Sequence, residues 1–248
     1  MLFKSSLLHT YPSQKRSQNK NLTTFANPFL NKNILMNYKM IVLDMDDTLL
    51  KDDHTISKRN KKAIKAAQEA GKYVVLASGR PTPAMINYAK ELELDKYNSY
   101  IISFNGGQII NMADETCIFE QTLAVKDIHQ LYDFSKEHKT AFITYYDGKI
   151  IGTQESEYID VEKKITEMPY VVVQDLKTNI TKNCVKCLLL EEPSYLKQVE
   201  TKLKSYRSDL SVSLSKPFFL EVITYLVLRI ISRGQKKTSV YQVNHNAG

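Results

Sequence analysis

The chain has 248 residues, enough for a core domain carrying one inserted domain, and a formal net charge of +7 at pH 7. Five Lys/Arg fall in residues 1–35 and four in residues 223–248, with no Asp or Glu in either stretch, so the body between them is slightly acidic. That distribution leaves little room for a basic stripe of the kind that binds nucleic acid, and no apolar run reaches the roughly 20 residues of a membrane-spanning helix.

Residues 1–35 are rich in Ser, Asn and Lys and show no hydrophobic periodicity. They are expected to be a disordered extension ahead of a start at Met36. The rival is a transit peptide, poorly supported by a single arginine, Arg16, and no amphipathic helix. From Met36 onward strand and helix patterns alternate, which predicts a parallel sheet. The apolar run Met40-Ile41-Val42-Leu43 forms strand one and opens into Asp44-Met45-Asp46-Asp47-Thr48. Ser57 caps a helix in which Ala63, Ile64, Ala67 and Ala70 recur at helical spacing, with Gly71 as its stop. Tyr73 to Ala77 is strand two. Thr82-Pro83 opens the next helix, with Thr as N-cap and Pro in the first turn. Tyr100 to Ser103 is strand three, and Asn105-Gly106-Gly107 forces a tight turn.

Beyond Glu120 the pattern predicts an α/β insert. It holds a helix near Lys126 to His138, a hairpin over Thr140 to Gly152 turning on Asp147-Gly148, and a helix near Glu157 to Ile165. A strand around Cys184 to Leu190, a helix from Ser194 to Tyr206, and strands near Leu210 to Ser215 and Phe218 to Val222 follow.

The chemistry concentrates at Asp44 and Asp46. Closely spaced carboxylates stand where a buried strand opens into a loop, and ligands of open α/β sheets bind at that end of the strands. Such oxygens suit a hard cation such as Mg²⁺. One carboxylate can attack phosphorus while the other moves protons. The plain alternative is an Asp-rich turn after a strand. Cys184-x-x-Cys187 invites a zinc or redox reading. No second pair follows, however, and residues three apart on a strand face opposite ways. Ordinary reduced thiols and a cytoplasmic location are expected instead.

Asp44-Met45-Asp46-Asp47-Thr48 resembles motif I, Asp-x-Asp-x-Thr, of the haloacid dehalogenase superfamily. Val74-Val75-Leu76-Ala77-Ser78-Gly79-Arg80-Pro81 is similar to motif II. Tyr100-Ile101-Ile102-Ser103-Phe104-Asn105-Gly106-Gly107 is similar to the third strand and turn of the Cof-type subgroup, phosphatases of sugar phosphates and other small phosphoesters. The likeness runs from about Met36 to Val222. It implies a Rossmann-like parallel sheet over residues 36–120 and an α/β cap over residues 121–217, with residues 218–248 an aberrant tail replacing the rest of the core. It also implies Asp44 as nucleophile, Asp46 as general acid and base, and Mg²⁺ held by Asp44 and the Asp46 carbonyl. The Met45 amide, Ser78 and the Gly79 amide would bind phosphate. Arg80 would line the pocket and touch phosphate or else pair with a surface acid, Asn105 would line the pocket or serve only the turn, and the partner would be a small phosphorylated metabolite.

The family pattern is not complete. No Asp or Glu follows Glu221, so the Gly-Asp-x-x-Asn-Asp motif IV has no counterpart, and Lys236 and Lys237 lack the surroundings of the motif III Lys. Phe218 to Val222 is expected to return to the core as a strand. The apolar segment Val222 to Ile231 would then pair with the exposed motif I strand or drive aggregation. A reading-frame shift near Val222 accounts for the change in composition better than evolved loss. Weakened catalysis is therefore expected, with a non-catalytic phosphate-binding module or a non-functional remnant as alternatives.

Overall fold

The computed structural model describes residues 38–225, 227–230 and 239–242. The expectations for residues 1–35 and for Lys236 and Lys237 lie outside the described residues. The described residues from Lys39 onward group as one unit by their internal contacts.

The first sheet opens with β1 (Met40–Asp44), crosses over through α1 (Lys58–Glu69) to β2 (Tyr73–Ala77), and crosses again through α2 (Pro83–Glu91) to β3 (Tyr100–Ser103). Two antiparallel strands, β4 (Gln108–Asn111) and β5 (Thr116–Glu120), complete the order β1-β2-β3-β4-β5. Ser57 caps α1 as its sequence predicts, its hydroxyl accepting from the Asn60 N–H at 3.1 Å. Gly71 ends the segment at φ +75°, a left-handed conformation that glycine adopts without steric cost. Thr82 does not cap α2. Its own backbone is helical (φ −50°, ψ −47°), and its hydroxyl is engaged by Ser103 Oγ at 2.5 Å and Gln108 Oε1 at 2.7 Å.

Strand pairing fixes which side chains share a face. Met40, Tyr73 and their in-register neighbours alternate with Ile41 and Val74 across β1 and β2. Val74, Leu76, Ile101 and Ile110 are buried with Ile64 of α1 and Met85 and Ala89 of α2. On the other face Val75 is buried, but Met40 is 49% exposed, Val42 54% and Tyr73 44%. Parallel sheets are normally buried on both faces, so β1 is an edge strand with apolar side chains in solvent. Among the described residues, none of Val222 to Ile230 pairs with β1.

The second sheet is built from α3 (Val125–Glu137), β6 (Ala141–Tyr146), β7 (Lys149–Gly152), α4 (Glu157–Thr166), β8 (Tyr170–Val172), α5 (Leu176–Asn179), β9 (Cys187–Leu190), α6 (Pro193–Tyr206), β10 (Leu210–Lys216) and β11 (Phe219–Thr224). Its strand order is β10-β11-β9-β6-β7-β8. The β6–β7 hairpin turns on Asp147 and Gly148, at φ +46° and +74°, as an Asp-Gly turn requires. The strand expected from Cys184 begins only at Cys187; Cys184 instead forms an isolated bridge with Leu123. All three cysteines are free.

Phe218 to Val222 does not return to the first sheet. As β11 it pairs antiparallel with both β9 and β10, Leu220 opposite Leu189 and Val222 opposite Val212. The tight connection from β10 makes that hairpin the nearest pairing in sequence, and Phe219, Leu220 and Val222 bury fully there. The chain that follows forms a separate two-stranded ladder, β12 (Val227–Ile230) with β13 (Ser239–Gln242).

Candidate active site

Asp44 ends β1 opposite Ala77 of β2, and Ala77 lies opposite Ile102 of β3. The loops that follow these three residues therefore leave the sheet side by side. They carry Asp44-Met45-Asp46, Ser78-Gly79-Arg80 and Asn105, every site residue expected from the sequence.

After Asp44 the chain makes a helical turn over Met45–Leu49, interrupted by extended Asp46 (φ −71°, ψ 136°) and left-handed Asp47 (φ 57°, ψ 10°). Met45 and Leu49 are buried in the first core and pin the turn, so the carboxylates between them face outward. The Leu50 N–H closes the turn onto the Met45 carbonyl at 2.9 Å. Asp44 is exposed, and Thr48 Oγ1 donates to its Oδ2 at 3.3 Å. Asp47 is exposed, and its short polar side chain tolerates the left-handed backbone.

Asp46 meets Arg80. The guanidinium donates through Nη2 to Asp46 Oδ1 at 2.7 Å and through Nε to Oδ2 at 3.1 Å. Such a two-pronged pair fixes orientation as well as charge. Arg80 is buried, lies over the Tyr88 ring, and donates from Nη1 to the Ile165 carbonyl of α4 at 3.2 Å. Burial alone would lower the Arg80 pKa, but the Asp46 carboxylate outweighs it and the net shift is upward. His54 Nδ1 lies 3.4 Å from Nη2.

Ser78 is tied into its own loop. Its N–H donates to the Ile102 carbonyl, its hydroxyl accepts from the Arg80 N–H at 3.1 Å, and its carbonyl accepts from the Asn105 N–H at 3.1 Å. Among the described residues the Gly79 N–H makes no hydrogen bond to protein. A Cβ at Gly79 would sit 2.7 Å from Asn105 Oδ1, so the close approach of these loops requires glycine. Phe104, Asn105 and Gly106 all have positive φ, at +51°, +56° and +96°. For a bulky residue such as Phe104 that conformation is strained and needs strong support from its surroundings.

Two residues at the site carried no expected role. Lys186 Nζ donates to the Gly79 carbonyl at 2.9 Å and to Glu221 Oε1 at 3.0 Å, and Glu221 Oε2 accepts from Asn105 Nδ2. Lys186 also lies over the Tyr145 and Phe104 rings, 5.3 and 5.8 Å from their centroids. The sequence signal was a single charge inside each apolar run, Cys184 to Leu190 and Phe218 to Val222.

Among the described residues no group of three or more His, Cys, Asp or Glu side chains is placed to hold a metal. Mg²⁺ needs less from the protein, commonly one or two carboxylates completed by water and substrate phosphate. The exposed Asp44 carboxylate is a group of that kind, whereas the Asp46 side chain is committed to Arg80.

The chain is similar to known proteins over most of its length. The model of the haloacid dehalogenase-like hydrolases matches residues 41–227. YxeH of Bacillus subtilis strain 168, which carries a provisional phosphatase name, is 31% identical over 192 residues, covering 75% of this chain and 70% of its own. A haloacid dehalogenase-like hydrolase from Bacteroides thetaiotaomicron superposes with a TM-score of 0.71 at 32% identity, covering 75% of this chain and 71% of that one. The sugar phosphatase BT4131, at 20% identity and a TM-score of 0.61 over 75% of this chain and 70% of its own, shares the fold.

Proposed function

The chain belongs to the haloacid dehalogenase-like hydrolases, and from that membership we propose a phosphatase of small phosphoesters that works through Asp44. The observation that carries the proposal is the convergence of Asp44, Asp46 and the Ser78-Gly79-Arg80 loop at the carboxyl ends of β1 and β2. Asp44 attacks phosphorus and forms an acyl phosphate as the ester P–O bond breaks. Asp46 gives the leaving oxygen its proton, then takes one from the water that hydrolyses the intermediate. The Ser78 hydroxyl and the free Gly79 N–H hold phosphate oxygens. Asp44 and the Asp46 carbonyl would hold Mg²⁺, which when bound offsets the repulsion between carboxylate and phosphate.

The Arg80 fork bears on the proton step. Both Asp46 carboxylate oxygens accept from the guanidinium, so the fork must open before either oxygen reaches the leaving group. Sugar phosphates are the proposed substrate class, since relatives carry names such as sugar phosphatase and 5-amino-6-(5-phospho-D-ribitylamino)uracil phosphatase. The proposed location is cytoplasmic, in keeping with three free cysteines. No helix among the described residues is long and apolar enough to cross a membrane.

A panel of sugar phosphates assayed for phosphate release with and without Mg²⁺ tests the proposal. Release that depends on Mg²⁺ and disappears in Asp44→Asn supports it; release unchanged in Asp44→Asn removes Asp44 from the chemistry. The Arg80–Asp46 pair also favours a second reading, a phosphate-binding module without turnover. That reading predicts thermal stabilisation by tungstate in a protein that releases no phosphate.

A further inference from the structure

We infer that Lys186 is a positioning residue for the phosphate-binding loop, acting from the second sheet on Gly79 directly and on Asn105 through Glu221. The inference rests on the phosphatase reading above only for the name of the loop; the contacts themselves are independent of it.

Lys186 immediately precedes β9, whose four residues are all buried, and Glu221 lies within β11, paired across from Leu188. Side chains of Lys186 and Glu221 are 3% and 8% exposed. Burying such a pair usually costs more in lost hydration than the attraction returns, and apolar residues of similar volume often serve a core equally well. The pair is therefore poorly explained as a means of holding the second sheet together. Its remaining hydrogen bonds leave that sheet altogether. One goes to the Gly79 carbonyl, and the other joins Glu221 to the Asn105 side chain. Asn105 in turn donates its N–H to the Ser78 carbonyl and packs its Oδ1 against Gly79. Both loops whose backbones shape the candidate phosphate site are thus gripped by one buried ammonium and its carboxylate.

The geometry is also selective in what it fixes. With its carbonyl bound to Lys186, the peptide plane after Gly79 cannot rotate freely. The Phe104-Asn105-Gly106 turn gains the support that positive φ at Phe104 requires. Gly107 lies against Val185, one residue before Lys186, with no room for a side chain, so the two segments are in direct contact beside the grip. A shift of the second sheet would be passed to the phosphate loop through Lys186.

Amide hydrogen exchange tests this without relying on activity. In the full chain, Lys186→Met is expected to speed exchange at Ser78, Phe104 and Asn105 by about tenfold, near the worth of one hydrogen bond. Exchange in β6 should stay as in the parent, and Lys186→Arg should restore part of the protection. The double variant Lys186→Met/Glu221→Leu removes both charges. If it melts as the parent does while the loop still exchanges faster, positioning is separated from packing. Unchanged loop exchange in either variant overturns the inference, and so does global unfolding of the double variant, which would make the pair a structural brace. Tungstate affinity, read in parallel, is expected to weaken by about tenfold in Lys186→Met. A parent protein that neither binds tungstate nor releases phosphate would remove the phosphatase reading, while the exchange result would still decide the role of Lys186.

Discussion

The Arg80 guanidinium grips both carboxylate oxygens of Asp46, at 2.7 and 3.1 Å, while a third nitrogen reaches the Ile165 carbonyl of α4. One buried cation thus spans the motif I turn and the second sheet's helix layer. The same contact that orders the proposed acid and base also occupies both of its oxygens. Substituting Arg80 should separate these effects. Arg80→Lys keeps the charge and loses the planar fork, and the two cations are not equivalent at such a site. Any Mg²⁺-dependent turnover is expected to fall about 10²-fold in Arg80→Met and less in Arg80→Lys. Stability should fall by about 1 kcal/mol, because the Asp46 side chain is still 47% exposed. Paired kinetic and denaturant measurements check this. A variant with unimpaired turnover would show that the fork is only structural.

Asp44 should behave in the opposite way. Its side chain is exposed and accepts a single long hydrogen bond from Thr48. Asp44→Asn is therefore expected to change stability by no more than about 0.5 kcal/mol, as for other surface substitutions. All phosphate release should disappear in the same variant, since an amide cannot serve as the nucleophile. A large drop in melting temperature would mean that the motif I turn depends on the Asp44 charge for its fold.

The parts of the molecule that could be read from the sequence are those whose cause is local. The strand that ends in Asp44, the Ser57 cap, the Gly71 stop and the Asp147-Gly148 hairpin each follow from neighbours a few residues away. Parallel β1, β2 and β3 then bring Asp44, Ser78, Gly79, Arg80 and Asn105 to one end of a sheet. What the sequence concealed is long-range. Thr82 looks like an N-cap, but Ser103 and Gln108 claim its hydroxyl from 21 and 26 residues away. Phe218 to Val222 suits either sheet by composition, and only its hairpin with β10 decides the matter. The Lys186–Glu221 pair joins residues 35 apart, and its contact with Gly79 spans 107. A lone charge in an apolar run marks such a residue without naming its partner.

Alkaline instability is expected from the buried thiols and Tyr145. Burial pushes the Cys184 thiol up to about 11 from an ordinary value of 9.0, and pushes Cys187 higher still. Burial and then the Glu162 carboxylate raise the Tyr145 hydroxyl well above its usual 10.0. Each group releases its proton in the unfolded chain before it does so in the folded one, so above pH 9 the folded state binds more protons. Stability from Cys184 is thus fully present below pH 9 and is lost as pH rises toward 11, at about 1.4 kcal/mol per pH unit per group. Denaturant midpoints should be level from pH 7 to 8.5 and fall beyond, and Cys184→Ala should make the first part of that fall shallower. A midpoint that stays level to pH 10.5 would contradict the burial of these groups.

The open edge of β1 makes the last prediction. Met40, Val42 and Tyr73 form an apolar strip on the side of the sheet that α1 and α2 do not cover, along β1, which among the described residues pairs on one side only. An exposed apolar edge strand is a template for pairing with other chains, and natural sheets blunt such edges with charge. Val42→Lys places an ammonium on that strip, and because Val42 is already 54% exposed the substitution should cost little stability. Self-association, followed by light scattering against protein concentration, is expected to fall in Val42→Lys and in Met40→Lys. The same charge at Lys149, on β7 of the second sheet, is already native and exposed, so Lys149→Arg serves as a control that should change nothing. Scattering that is equal in the parent and the β1 variants would mean that the strip is not the surface through which chains associate.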